Sequence, residues 1–113
     1  MRNLTVTVYS APWCPPCRAH HKTIKRWSAA RAGGVHNAPK VEEIDIDTPA
    51  GELDADARSV QAVPTTIVLH NGVELARATG ALDDKALNRL IQKAERKMQT
   101  NEENERKNHG KEK

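Results

Sequence analysis

Leu4-Thr5-Val6-Thr7-Val8-Tyr9-Ser10-Ala11-Pro12-Trp13-Cys14-Pro15-Pro16-Cys17 sets a strand against a helix and places both cysteines of the chain at the junction. Leu4, Val6 and Val8 alternate with Thr5, Thr7 and Tyr9, the period of a half-buried strand, and Ser10-Ala11-Pro12 breaks it. Two thiols separated by two residues on the first turn of a helix can close a disulfide. The first sulfur then lies where helix N-terminal amides and the macrodipole favour a thiolate. With only two cysteines among 113 residues, a framework of several bridges is excluded. What remains is a redox couple, part of a metal site or a single staple. A chain of this length buries roughly two thirds of its unfolded surface without staples, so the pair is expected to serve chemistry.

Outward from the motif, Cys17, His20 or His21, Ile24, Trp27, Ser28 and Arg31 recur at helical spacing from Cys14 to about Ala32, and Gly33-Gly34 ends the run. Val41, Ile44 and Ile46 mark a second strand. Thr48-Pro49 supplies an N-cap followed by proline at the first helical position, and Ala50, Leu53, Ala57 and Val60 form the expected inward stripe of a second helix. Val63 to His70 is a β-branched run, Asn71-Gly72 the strongest two-residue hairpin signal, and Val73 to Thr79 the returning strand. Asp83 caps a third helix whose buried face is Leu87, Leu90, Ile91 and Ala94. The order is β-α-β-α-β-β-α, an α/β domain over residues 1–97. Residues 98–113 read as a charged tail, disordered or a frayed extension of the last helix.

Aromatic residues make up 3% of the chain and phenylalanine is absent, so the core is expected to be aliphatic around Tyr9, Trp13 and Trp27. The formal net charge of +3 is unevenly laid out. From Cys14 to Ala32 the charged residues are Arg18, Lys22, Lys25, Arg26 and Arg31, all basic; from Glu42 to Asp56 all are acidic. A basic motif helix favours thiolate and steers acidic partners, an effect salt weakens. The tail carries no polybasic arm suited to nucleic acid. No leader pattern opens the chain and no apolar stretch is long enough for a membrane span, so a cytoplasmic protein, monomeric and free of nucleic acid and membrane, is expected. In a reducing cytosol a lone Cys-x-x-Cys near a β-α-β pattern points to catalysis.

Two blocks, Ala11-Pro12-Trp13-Cys14-Pro15-Pro16-Cys17 and Val63-Pro64-Thr65 through Asn71-Gly72 to Gly80-Ala81-Leu82, together with Ile44-Asp45-Ile46-Asp47, resemble the thioredoxin superfamily, in a minimal form without its extra N-terminal strand and helix. The resemblance implies a four-stranded mixed sheet flanked by helices, its first two strands parallel and the hairpin beside the first. It implies Cys14 as exposed nucleophile, Cys17 as buried resolving thiol and Pro64 as a cis proline packed against them. Trp13, Val63, Pro64 and Gly80 would form the substrate-binding surface. The implied activity is reduction of protein disulfides by a Cys14/Cys17 exchange that needs no cofactor and is recharged by a reductase or a small thiol. Ribonucleotide reductase is one client of such proteins.

Pro15 and Pro16 both lack an N–H, so the Cys14 sulfur is served mainly by the Cys17 amide and the dipole, and a modest lowering of its pKa is expected. That suits a reductant better than a strong oxidant. The resemblance also has two departures. An aspartate six residues before the first cysteine is Val8 here, and its lysine partner is replaced by Glu43. Substitute proton acceptors are Glu43, on an expected edge strand, and His21, one turn beyond Cys17. Cys14, Cys17, His20 and His21 also offer four zinc-ligand types, but one helix cannot easily complete a tetrahedron, and no metal is expected. Two rivals stand beside a thioredoxin-like reductase. A glutaredoxin would need a glutathione site, for which neither a Cys-Pro-Tyr motif nor a clear anchor is visible. A thioredoxin-fold binding module would leave the thiols passive.

Overall fold

The computed structural model describes residues 4–32 and 39–111. The Gly33-Gly34 helix stop lies outside them. The elements run β1 (Thr5–Ser10), α1 (Pro15–Ala32), β2 (Lys40–Asp45), α2 (Pro49–Ala57), β3 (Thr65–His70), β4 (Val73–Thr79) and α3 (Asp84–Lys111), in the order read from the sequence. They form a four-stranded sheet ordered β2-β1-β3-β4, with β1 and β2 parallel and the other pairs antiparallel. This is the thioredoxin fold.

The period-2 pattern of β1 sorts its residues between two layers. Val6 and Val8 join Val68 and Ala76 beneath α1 and α3, where Ile24, Trp27, Leu87, Leu90, Ile91 and Ala94 complete the main aliphatic core. Trp27 is a core residue, 5% exposed. On the opposite face Tyr9, Ile67 and Leu69 pack against Ala55 of α2. Farther along that face Thr5 and Thr7, with Glu42 and Arg58, line an open polar cavity of about 210 Å³. The hairpin turns through Asn71 at φ 52° and Gly72 at φ 81°, the left-handed pair that matches strand twist. Asp83 Oδ1 accepts the Ala86 amide at 2.8 Å, capping α3.

Two expectations are corrected here. The inward stripe of α2 is not Ala50, Leu53 and Ala57, all exposed, with Leu53 at 70%; the buried residues are Gly51 and Ala55. Thr48 sets the helix's rotation. Its Oγ1 accepts the Gly51 amide at 3.0 Å, bringing Gly51 against the Asp45 carbonyl so closely that a Cβ there would collide with it. The Tyr9 hydroxyl, donating to Asp54 Oδ1 at 2.9 Å, fixes the same orientation. Burial, helped by that bond, pushes the Tyr9 pKa up to about 12.

The second concerns the stretch after Lys97, where residues 98–111 take the helical one of the two readings and only the place of Met98 differs. Helix α3 runs through it to Lys111, and Met98, assigned to the tail, is 2% exposed in the main core. Met98 lies one turn after Ala94, so a single apolar residue continues the stripe already built by Leu87, Leu90, Ile91 and Ala94.

Candidate active site

Cys14 is the residue before the first helical turn of α1, Pro15 fills its first position, and the Cys17 amide reaches back to Cys14 Sγ at 3.2 Å and to the Cys14 carbonyl at 3.1 Å. A sulfur thus occupies the place where serine or aspartate ordinarily caps a helix. Because Pro15 and Pro16 carry no N–H, the Cys17 amide is the first free donor of the helix, and it points at the sulfur. In the dithiol state that amide and the helix N-terminus stabilise negative charge on Cys14.

Cys14 and Cys17 are joined in a disulfide, their Cα atoms 5.2 Å apart. Both are buried, Cys14 at 3% and Cys17 at 5% exposure, in a small cluster with Ala11, Ile46 and Val63. An exposed Cys14 over a buried Cys17 is therefore not what the oxidised protein shows; the local packing encloses both sulfurs.

The residues ahead of β3 close over the pair. The Val63–Pro64 peptide bond is cis, and Cys14 Sγ lies 3.8 Å from the Val63 carbonyl oxygen. The Pro64 carbonyl accepts the Gly80 amide at 2.7 Å, and Gly80 sits at φ +101°, which side chains disfavour. Trp13, expected in the core, is instead 62% exposed, its Nε1 donating to Asp47 Oδ2 at 2.9 Å. Trp13 and Val63 line a groove of about 470 Å³ of mixed character, in which Ile46, Ala55 and Val60 stand beside Asp47, Glu52 and Asp56. Of the residues the sequence marked for substrate, Val63 packs against the cysteines and shares a groove with Trp13. Pro64, joined to Val63 by the cis bond, is buried, and the Gly80 amide bonds the Pro64 carbonyl. Asp47, which holds the Trp13 ring, went unmarked although it ends the Ile44-Asp45-Ile46-Asp47 alternation.

On the other side of the cysteines, an open cavity of about 420 Å³ between α1 and β2 is lined by Cys17, Arg18, His21, Lys22, Glu43 and Asp45, among others. His21 Nδ1 and Glu43 Oε1 are 2.7 Å apart. Glu43 is exposed on β2, which is an edge strand.

The neighbouring His20 turns the opposite way. It is 1% exposed; its Nδ1 accepts the Leu82 amide at 3.1 Å and its Nε2 lies 2.7 Å from Thr66 Oγ1. Since an amide can only donate, Nδ1 is the bare nitrogen and Nε2–H donates to Thr66. His20 is thus a neutral imidazole tying α1 to β3 and to the segment after Gly80. Both its ring nitrogens are taken by Thr66 and Leu82, and no cluster of three or more metal-ligating side chains occurs among the described residues.

Burial lowers the His20 pKa below its ordinary 6.5, against a weaker opposing pull from Glu43. The sign of the consequence follows. Below pH 6.5 the unfolded chain binds a proton that the folded one resists, so stability falls as pH drops through 6.5 toward the lower folded-state value. His20→Gln, which can keep both hydrogen bonds without titrating, is expected to remove this loss. Urea unfolding between pH 7.5 and 5 should show the wild type losing ground to the variant by at most about 1.4 kcal/mol per pH unit. A stability difference that is constant with pH would contradict it.

Comparison with known proteins agrees with this architecture. A family model described as Thioredoxin matches residues 1–93. The chain is 34% identical over 84 residues to a probable thioredoxin-2 of Caenorhabditis elegans, covering 74% of this chain and 54% of that one. It is 28% identical over 90 residues to a thioredoxin of Chlamydia trachomatis, covering 80% and 81% respectively. It thus spans about half the length of the nematode relative and four fifths of the chlamydial one. Among solved structures, thioredoxin-2 of a malaria parasite superposes with a TM-score of 0.71 at 25% identity, over 81% of this chain and 84% of that one.

Proposed function

Because the chain belongs to the thioredoxin family, we propose that it is a thiol-disulfide oxidoreductase working mainly as a reductant of protein disulfides. The observation that carries this reading is the Cys14–Cys17 disulfide at the start of α1, with the Cys17 amide on Cys14 Sγ and the Trp13–Val63 groove alongside. In the dithiol form the Cys14 thiolate attacks one sulfur of a client disulfide, releasing the other and forming a mixed disulfide. Cys17 then attacks Cys14 Sγ, the client's second sulfur leaves, and the intramolecular disulfide is restored. The client gains two electrons and the protein loses them; a separate reductase or small thiol returns them.

Trp13 and Val63 line the groove that receives the client, and buried Pro64, with the Gly80 amide on its carbonyl, supports Val63 from within. An extended client segment lies along its apolar residues, and the carboxylates of Asp47, Glu52 and Asp56 beside them favour segments that carry basic side chains. The protein acts as a monomer, in a reducing compartment such as the cytoplasm. Among the described residues no helix is long and apolar enough to cross a membrane.

Insulin reduction by dithiothreitol tests the reading. Acceleration at substoichiometric protein is the expected result; a passive binding module would leave the rate unchanged. A glutaredoxin-like donor would instead accelerate reduction of a small mixed disulfide only when glutathione is supplied.

A further inference from the structure

We propose that His21 and Glu43 form one proton-accepting unit for the Cys17 thiol, His21 taking the proton and Glu43 positioning it. The proposal rests on Cys14 and Cys17 being an exchange couple. It joins two residues that the sequence offers only as alternatives.

The resolving step has a chemical requirement. Only a thiolate attacks, and Cys17, 5% exposed among Ala11, Cys14, Ile46 and Val63, sits in surroundings that oppose ionisation. Something must accept its proton. Cys17 lines the cavity between α1 and β2, so the acceptor is sought among that cavity's other walls.

Arg18 and Lys22, from α1, carry protons and cannot take another. Asp45 Oδ1 accepts the Asp47 amide at 2.9 Å, which directs that carboxylate toward the turn before α2. β1 offers no acceptor on this side: its residue in register with Glu43 is Val8, 1% exposed in the aliphatic core, and its one titratable residue, Tyr9, packs in the opposite layer with its hydroxyl on Asp54. His20, three residues after Cys17, has both ring nitrogens committed to Leu82 and Thr66. That leaves His21 and Glu43.

These two touch each other. The Glu43 carboxylate can only accept, so the 2.7 Å contact places the proton on His21 Nδ1. In the neutral ring Nε2 is then the basic atom. His21 lies four residues after Cys17, on the same side of α1, and both face the one cavity. Glu43 holds the ring in this tautomer and stabilises the imidazolium that forms. A thiol nucleophile, a histidine base and an orienting carboxylate make the arrangement by which side-chain nucleophiles are generally activated. The flanking charges of Arg18 and Lys22 favour the thiolate left behind.

The step balances as follows. With Cys14 bonded to the client sulfur, the Cys17 proton passes to His21 Nε2, through water where the cavity admits it. The Cys17–Cys14 bond forms as the Cys14–client bond breaks. The client sulfur leaves with the electron pair and takes up the proton, from the imidazolium or from water.

A stopped-flow experiment with reduced protein and 5,5′-dithiobis(2-nitrobenzoate) between pH 5.5 and 9 separates the two steps. The first nitrothiobenzoate released reports attack by Cys14, the second resolution by Cys17. In His21→Gln the second phase at pH 7 is expected to slow about tenfold or more, and to steepen toward tenfold per pH unit as hydroxide replaces the base. Glu43→Gln should show the same change to a smaller degree, with Glu43→Asp restoring part of it. Lys25→Gln, whose residue lies outside the cavity walls, should keep the wild-type second phase. A second phase with wild-type rate and pH dependence in His21→Gln would overturn the proposal. Absence of any first phase in the wild type would instead overturn the exchange couple on which it rests.

Discussion

Cys14→Ser is expected to bring dithiothreitol-driven insulin reduction down to the uncatalysed rate, whereas Cys17→Ser should strand the client as a stable mixed disulfide on Cys14. The asymmetry follows from position. Cys14 Sγ has the Cys17 amide at 3.2 Å and the N-terminus of an 18-residue helix behind it, so its anion is the stabilised one. Serine at position 14 has a hydroxyl too weakly acidic to ionise there, and no covalent intermediate forms. Serine at position 17 leaves the first attack intact and removes only the second nucleophile. Non-reducing electrophoresis after mixing Cys17→Ser with insulin should show an adduct that dithiothreitol dissolves. An adduct from Cys14→Ser instead would reverse the roles assigned to the two sulfurs.

Gly51→Ala should destabilise the fold, although α2 is a helix and alanine is its best former. Intrinsic propensity favours alanine over glycine by about 1 kcal/mol in a helix interior. Against this, a Cβ at position 51 would collide with the Asp45 carbonyl and press on Thr48 Oγ1. The obstacle is backbone at the end of β2, already fixed by hydrogen bonds from Thr48, whose amide and hydroxyl both donate to the Asp45 carbonyl, so it cannot turn aside as a side chain would. Overpacking of this kind costs about 1–3 kcal/mol and occasionally more, enough to outweigh the propensity gain. A net loss of about 2 kcal/mol would lower Tm by roughly 10 °C for a domain of this size. A melting temperature equal to or above that of the wild type would show that β2 and α2 separate freely.

The same contact shows where the sequence was legible and where it was not. Elements whose signal is local could be read directly: the alternation of β1, the Asn71-Gly72 turn, the Asp83 cap and the stripe from Leu87 to Ala94. The rotation of α2 could not. Its apolar residues, Ala50, Leu53 and Ala57, trace a plausible face, yet the helix is turned by a threonine cap, a glycine approach and the Tyr9–Asp54 bond, all of them polar or backbone contacts. Hydrophobic periodicity does not register these.

The adjacent histidines present the same difficulty. His20 and His21 fit the α1 stripe about equally. Only partners 46 and 62 residues away, Thr66 Oγ1 and the Leu82 amide, decide that His20 is the buried one and His21 faces the Cys17 cavity. The Cys-x-x-Cys motif located the two bonded sulfurs but not their enclosure in the disulfide, since exposure there depends on Ile46 and Val63 packing against them. Met98 reads as tail because a lone apolar residue in a charged stretch carries little periodic signal.

The reactive sulfur itself can be measured directly, as the rate of iodoacetamide alkylation at Cys14 of the dithiol form at pH 7, followed by peptide mapping. A thiolate held at the head of α1 and uncovered once the disulfide is opened predicts alkylation about tenfold faster than that of a cysteine in an unstructured peptide, with Cys17 reacting far more slowly. A rate at Cys14 no greater than that of the free peptide would contradict it.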